Sequence, residues 1–247
     1  MLGLPDGVAA CLFDLDGVLT QTAKVHAAAW KQMFDEYLRQ RAEKLSEQFV
    51  PFDPVRDYDE YVDGKPRFEG VKAFLASRRI RLPRGDPGDS PDADTIAGLG
   101  NRKNELLLRL IREQGVKAYE GSVRYVRAAV EQGLSRGVVS SSANAREVLI
   151  AAGTQDLFET GIDGVVATRE HLRGKPAPDT FLAAARALGA EPWEAVVVED
   201  ALAGVAAGKA GGFGFVVGVD RVGQRNALLQ RGADLVVADL AELLPER

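Results

Sequence analysis

A chain of 247 residues with 46% hydrophobic and 27% charged residues, 26 glycines and a net charge of -5 has the composition of a globular protein, long enough for one large domain or two smaller ones. The acidic balance argues against nucleic acid as a main partner, and no apolar run approaches the roughly 20 residues that span a bilayer, so no membrane partner is expected. The opening MLGLPDGVAACLF lacks the basic stretch and cleavage site of a signal peptide, which gives the expectation of a cytoplasmic protein.

The first predicted element is a buried strand over residues 9–13. It contains the single cysteine, Cys11, which has no partner for an internal disulfide and reads as an inert core residue. Two aspartates, Asp14 and Asp16, and then Gly17 come at the strand's end. Residues 23–115 hold no Val-rich strand; amphipathic stretches predict helices over 25–40, 68–78 and 102–113, and the Pro-, Gly- and Asp-dense segment 81–94 predicts an exposed loop. From Tyr119 onward, short strands are predicted over 134–140, 163–167, 195–200, 213–219 and 233–239, alternating with helices such as 144–152, 178–188 and 201–210.

That rhythm predicts an α/β fold, a Rossmann-like parallel sheet covered on both faces by helices. Residues 1–21 and 119–247 would form this core, and 22–118 an inserted all-helical domain. The insert has 18 basic against 16 acidic residues, and the remainder 13 against 20, so the insert is suited to bring cations to something anionic.

Ligands of such sheets bind beyond the carboxyl ends of the strands, where Asp14 and Asp16 would lie. Residues two apart on an extended chain point the same way, and like charges that close repel unless a cation sits between them. Magnesium, which takes one or two carboxylates together with substrate phosphate oxygens, fits that demand; alone, the DxDG sequence fits equally well as a turn or a calcium-loop fragment. A second pair, Glu199 and Asp200, continues the buried run AVVV to the same edge, where Asp200 can also cap the next helix. Ser140, Ser141, Ser142 and Asn144 come after the strand GVV and open a helix, a setting of N–H groups and hydroxyls that favours phosphate. Lys175, in GKPAPDTF, lies at a corresponding strand-to-helix region.

The order DLDGV, strand-end serine, lysine before proline, strand-end ED resembles that of the haloacid dehalogenase-like phosphotransferase superfamily. The details SSSAN, GKPAPDTF and VVVEDALAGVAAG are similar to its β-phosphoglucomutase group. The resemblance implies that Asp14 attacks phosphorus to form an aspartyl phosphate and that Asp16 is the general acid and base. It implies a magnesium site from the Asp14 carboxylate, the Asp16 backbone carbonyl and Asp200, with Glu199 in or near its shell, and phosphoryl contacts from Ser140, Ser141 and Lys175. The insert would be a cap that closes over the site and excludes water.

Within the insert, His26, Trp30, Gly64, Arg67, Lys103 and Asn104 correspond to positions that bind sugar or a second phosphate or trigger closure, with Ser142 and Asn144 on the core side. Read without the family, Trp30 is equally a core aromatic and Lys103 a solvated helix residue. Arg67, flanked by Gly64 and Pro66, is expected in a loop. Gln21 stands where the group has an acidic residue, and Ala143 where it has a lysine for the distal phosphate; Arg146 is the nearby cation.

The implied activity is interconversion of β-glucose 1-phosphate and glucose 6-phosphate by a monomer acting on small sugar phosphates, with glucose 1,6-bisphosphate as activator. The alternatives are a sugar-phosphate phosphatase on the same core, or an inactive binding protein of this fold.

Overall fold

The computed structural model describes residues 2–245 and divides into two compact units, one made of the chain up to Gln21, Gly64–Pro66 and everything from Val116 on, the other of Thr22–Asp63 and Arg67–Gly115. The first is an α/β unit with six parallel strands in the order β3-β2-β1-β4-β5-β6. These are β1 Ala10–Phe13, β2 Ser135–Val139, β3 Thr160–Ile162, β4 Ala195–Glu199, β5 Phe215–Val219 and β6 Leu235–Val237.

β1 lies in the middle of the sheet and is buried on both faces, which is why its sequence is a continuous apolar run instead of an alternating one. Ala10 and Leu12 join Val197 and Phe181 in one core cluster, while Phe13 meets Tyr125 and Phe158 edge-on at 6.3 and 6.0 Å. In register, Leu12 pairs with Val197 and Phe13 with Val198, so the next step sets Asp14 beside Glu199. The helices that cover the strands are α4 Glu120–Glu131, α5 Ala145–Ala151, α6 Gly164–Arg169, α7 Asp179–Ala187, α8 Leu202–Ala210 and α9 Arg225–Arg231.

One predicted strand is wrong. Residues 163–167 form the cap and first turns of α6, because the Asp163 carboxylate accepts from the N–H groups of Val165 and Val166 at 2.9 and 2.8 Å. The strand is β3, just upstream. A short Val run does not distinguish strand from helix, and the N-cap decided it here.

The second unit is helical: α1 Ala23–Leu45, α2 Arg67–Ser77, α3 Ile96–Gln114, and one turn of π-helix at Tyr58–Val62. α1 buries Trp30, Met33, Phe34, Tyr37 and Leu38, the spacing of one helical face. Phe34 lies at the centre of this core, with the rings of Trp30, Phe52 and Phe74 at 5.3, 5.2 and 4.2 Å. The 81–94 segment forms no helix or strand and has no buried residue. It is nevertheless tied down, since Asn101 donates to the carbonyls of Pro87 and Asp89 and Arg102 to that of Pro91.

Candidate active site

Side-chain parity along β1 and β4 places Asp14 on the Leu12 face and Glu199 on the Val197 face, so both carboxylates emerge on the same side of the sheet. Lys175 enters between them. Its ammonium donates to Asp14 Oδ1 at 2.5 Å, Glu199 Oε1 at 2.6 Å and the Val139 carbonyl at 3.0 Å, so all three of its protons are used. Glu199 is fully buried, and its other oxygen accepts from the Ala201 N–H at 2.8 Å. Gly204 makes room for it: a Cβ there would lie 1.7 Å from Glu199 Oε1.

Charge is unbalanced in this pocket. Burial pushes Asp14 up to about 6 and Glu199 up to about 7, against the pull of the Lys175 ammonium beside each. Burial works against the charge on Lys175 too, but the two carboxylates outweigh it and hold its pKa above the usual lysine value.

Asp200 adds a third buried carboxylate, and ligand atoms of Asp14, Glu199 and Asp200 all lie within 4.8 Å of one another. Three oxygen donors with an excess of negative charge suit a hard divalent cation. The carboxylate of Asp16 is not part of this cluster, and its backbone N–H donates to Asp14. The chain turns sharply at Gly17, where φ is +95° and a Cβ would lie 1.7 Å from Asp200 Oδ2. Two independent constraints therefore require glycine at that position.

The serine loop comes directly after β2. Ser140 is buried and its hydroxyl accepts from the Ser142 N–H at 3.1 Å, while the Ser142 hydroxyl accepts from the Asn144 N–H at 3.2 Å. Ser141 donates to the carbonyl of Gly64 at 2.7 Å. The predicted phosphate-binding residues thus form one loop next to β1, with Lys175 bridging to it through Val139.

In the helical unit, Lys103 is not a solvated helix residue but is 4% exposed. Its ammonium lies 3.2 Å from His26 Nδ1 and 5.0 Å from the centre of the Trp30 ring. An ammonium has no acceptor, so Nδ1 takes the hydrogen bond and the His26 proton sits on Nε2. Burial, and then the Lys103 charge, lower the His26 pKa well below its usual value. Trp30 is packed into the core against Phe34. Arg67 is the first residue of α2 and not part of a loop. Its Nη2 donates to Asn101 Oδ1 at 3.1 Å, its guanidinium lies 4.8 Å from the Phe68 ring centre, and its buried Nε has no hydrogen-bond partner among the described residues.

A sequence model described as haloacid dehalogenase-like hydrolase matches residues 8–212. The chain belongs to that family. It is 56% identical to the β-phosphoglucomutase of Mycobacterium bovis over 99% of this chain and 94% of the relative. It is 32% identical to that of Bacillus subtilis over 96% and 92% of the two chains. The crystal structure of a β-phosphoglucomutase from Clostridium difficile superposes with a TM-score of 0.75 at 26% identity, covering 96% of this chain and 93% of that one. No helix is long and apolar enough to cross a membrane among the described residues.

Against the pattern of this haloacid dehalogenase-like family, Gln21 is exposed and pairs through its backbone N–H with the Lys117 carbonyl at 2.8 Å. Arg146 is exposed and lines a cavity of about 320 Å³ with Gln155, Phe158 and Glu159. Two residues that touch the site escaped sequence reasoning. Arg221 Nε donates to the Gly17 carbonyl at 2.9 Å and Gln224 Nε2 to the Asp200 carbonyl at 3.1 Å. The available signal was their place, directly after a Val-rich strand and so at the same sheet edge.

Proposed function

We propose that the chain is a magnesium-dependent phosphotransferase that interconverts β-glucose 1-phosphate and glucose 6-phosphate through an aspartyl phosphate on Asp14. The observation that carries this reading is the buried Asp14 carboxylate, fixed by Lys175 and flanked by Asp200 at the carboxyl edge of a parallel sheet. The long match to mycobacterial β-phosphoglucomutase supports the choice of substrate.

Asp14, Asp200 and the Asp16 carbonyl would hold the metal, which when bound neutralises charge on the phosphoryl oxygens. Asp14 attacks phosphorus as the bond to the sugar oxygen breaks, and Asp16 gives that oxygen a proton. In the return step Asp16 removes a proton from the accepting hydroxyl, which attacks phosphorus and frees Asp14. Lys175 orients Asp14 and supplies positive charge, while Glu199 holds Lys175. Ser140 and Ser141 complete the phosphate loop. A mutase also needs a second anion site, to which we assign Arg67 and Lys103 in the helical unit, with His26, Asn104, Ser142 and Asn144 contacting the substrate. Glucose 1,6-bisphosphate would prime Asp14 as activator.

The test supplies β-glucose 1-phosphate, magnesium and a trace of glucose 1,6-bisphosphate, and tracks glucose 6-phosphate and free phosphate separately. Formation of glucose 6-phosphate far ahead of phosphate is expected. Phosphate release matching substrate loss would instead establish the phosphatase reading, and no turnover with any phosphate ester would leave a binding protein.

A further inference from the structure

The loop after β5, residues 220–225, carries none of the phosphoryl-transfer groups, yet it holds two of the segments that do. Asp220 makes it rigid: Oδ1 accepts from the N–H groups of Val222, Gly223 and Gln224 at 3.2, 2.7 and 2.8 Å, and Oδ2 from that of Arg225 at 3.1 Å.

From this frame Arg221, 14% exposed, reaches three carbonyl or carboxylate groups: Gly17 O through Nε at 2.9 Å, Ala238 O through Nη1 at 2.7 Å, and Asp239 Oδ2 at 3.3 Å. Its guanidinium also lies 3.6 Å from the centre of the Tyr119 ring. Gln224 takes the backbone carbonyl of Asp200. One loop thus grips the 17–18 peptide, one residue past Asp16, and the main chain of Asp200.

Gly17 sits in the left-handed region, where nothing intrinsic to the residue fixes its carbonyl, so the direction of the 17–18 peptide depends on the donor it meets. A planar fork can serve two diverging carbonyls and stack on a ring at once, which an ammonium cannot.

We propose that Arg221 and Gln224 form a positioning clamp, Arg221 setting Asp16 through the Gly17 carbonyl and Gln224 setting Asp200 for the metal. The Arg221 half rests on the reading of Asp16 as proton donor.

The test uses the full chain with Arg221→Met, Arg221→Lys, Gln224→Leu and, in parallel, Asp16→Asn. Turnover is measured on β-glucose 1-phosphate and on p-nitrophenyl phosphate, whose good leaving group needs little protonation, and magnesium affinity is read by calorimetric titration. Arg221→Met should lower kcat on the sugar phosphate about 10- to 100-fold, the range of a lost charge-assisted hydrogen bond, with a much smaller loss on the aryl ester; Arg221→Lys should fall between it and the native protein. Gln224→Leu should weaken magnesium binding several-fold and leave the ratio of the two substrates unchanged.

Equal losses on both substrates in the Arg221 variants, or native turnover, would overturn the clamp's first half, and unchanged magnesium affinity in Gln224→Leu its second. If Arg221→Met does not fold, a native substrate ratio in Arg221→Lys is the refuting result. Equal losses in Asp16→Asn would instead refute Asp16 as the acid, leaving the magnesium titration to decide the clamp.

Discussion

Replacing Lys175 with methionine removes a buried ammonium while keeping a chain of similar length. Its side chain is 1% exposed, and it is hydrogen-bonded to two carboxylates that are themselves 9% and 0% exposed. Loss of one partner from such a buried pair costs about 3–5 kcal/mol, because the remaining charges stay desolvated and uncompensated. At about 2–4 °C per kcal/mol for a chain of this size, melting should fall by roughly 6–20 °C near pH 8 without magnesium.

The penalty should shrink as the pH falls. Asp14 and Glu199 already titrate near 6 and near 7, and without the ammonium both rise further. A carboxyl whose folded pKa exceeds its unfolded value of about 4 binds protons preferentially in the folded state, so stability is lost as pH rises through the folded pKa and restored below it. Thermal unfolding of the native protein and Lys175→Met, near pH 8 and near pH 5.5, reads the difference directly and cancels contributions common to both. Phosphoryl turnover should also fall, by about 10²–10³. A penalty below about 1 kcal/mol near pH 8, or one that grows on acidification, would refute the account of Lys175 as the charge that holds the two carboxylates together.

Asp14→Asn should abolish turnover on every phosphate ester with the circular dichroism spectrum unchanged, since an amide is a poor nucleophile; activity that survives exclusion of deamidation would sink the covalent mechanism. Arg67→Ala should reduce sugar-phosphate isomerisation about 10- to 150-fold and spare p-nitrophenyl phosphate hydrolysis; parallel losses would make Arg67 a structural residue of the helical unit. His26 is buried neutral beside Lys103, so its stabilisation is present above the unfolded pKa of about 6.5 and lost below it at up to about 1.4 kcal/mol per pH unit. Urea unfolding between pH 7 and pH 5, monitored by the emission of buried Trp30 as distinct from exposed Trp193, should show that slope in the difference between the native protein and His26→Gln, where the opposing contributions of Asp14 and Glu199 cancel.

Much of the site was legible in the chain because a parallel sheet turns order into place. An apolar run buried on both faces delivers the next residues of the chain to the carboxyl edge, and this alone brought Asp14, Ser140 and Glu199 to one side of the molecule. Helices of the insert were legible for a similar reason, as the Trp30–Phe34–Tyr37 spacing marks a buried face. The 163–167 run was misread because period and propensity are local averages, whereas the Asp163 cap is a specific pair of hydrogen bonds.

Tertiary structure decided the partnerships. Nothing local to GKPAPDTF states that its lysine spends all three donors on Asp14, Glu199 and Val139, because those groups lie 161, 24 and 36 residues away in sequence. Lys103 reads as solvated until His26, 77 residues away, and Trp30 are seen to enclose it. Arg221 and Gln224 could be placed at the correct edge from their strand, but the carbonyls they grip belong to other loops. A side chain's periodicity is a property of its own segment, while its desolvation and hydrogen-bond partners are properties of the space that folding creates around it.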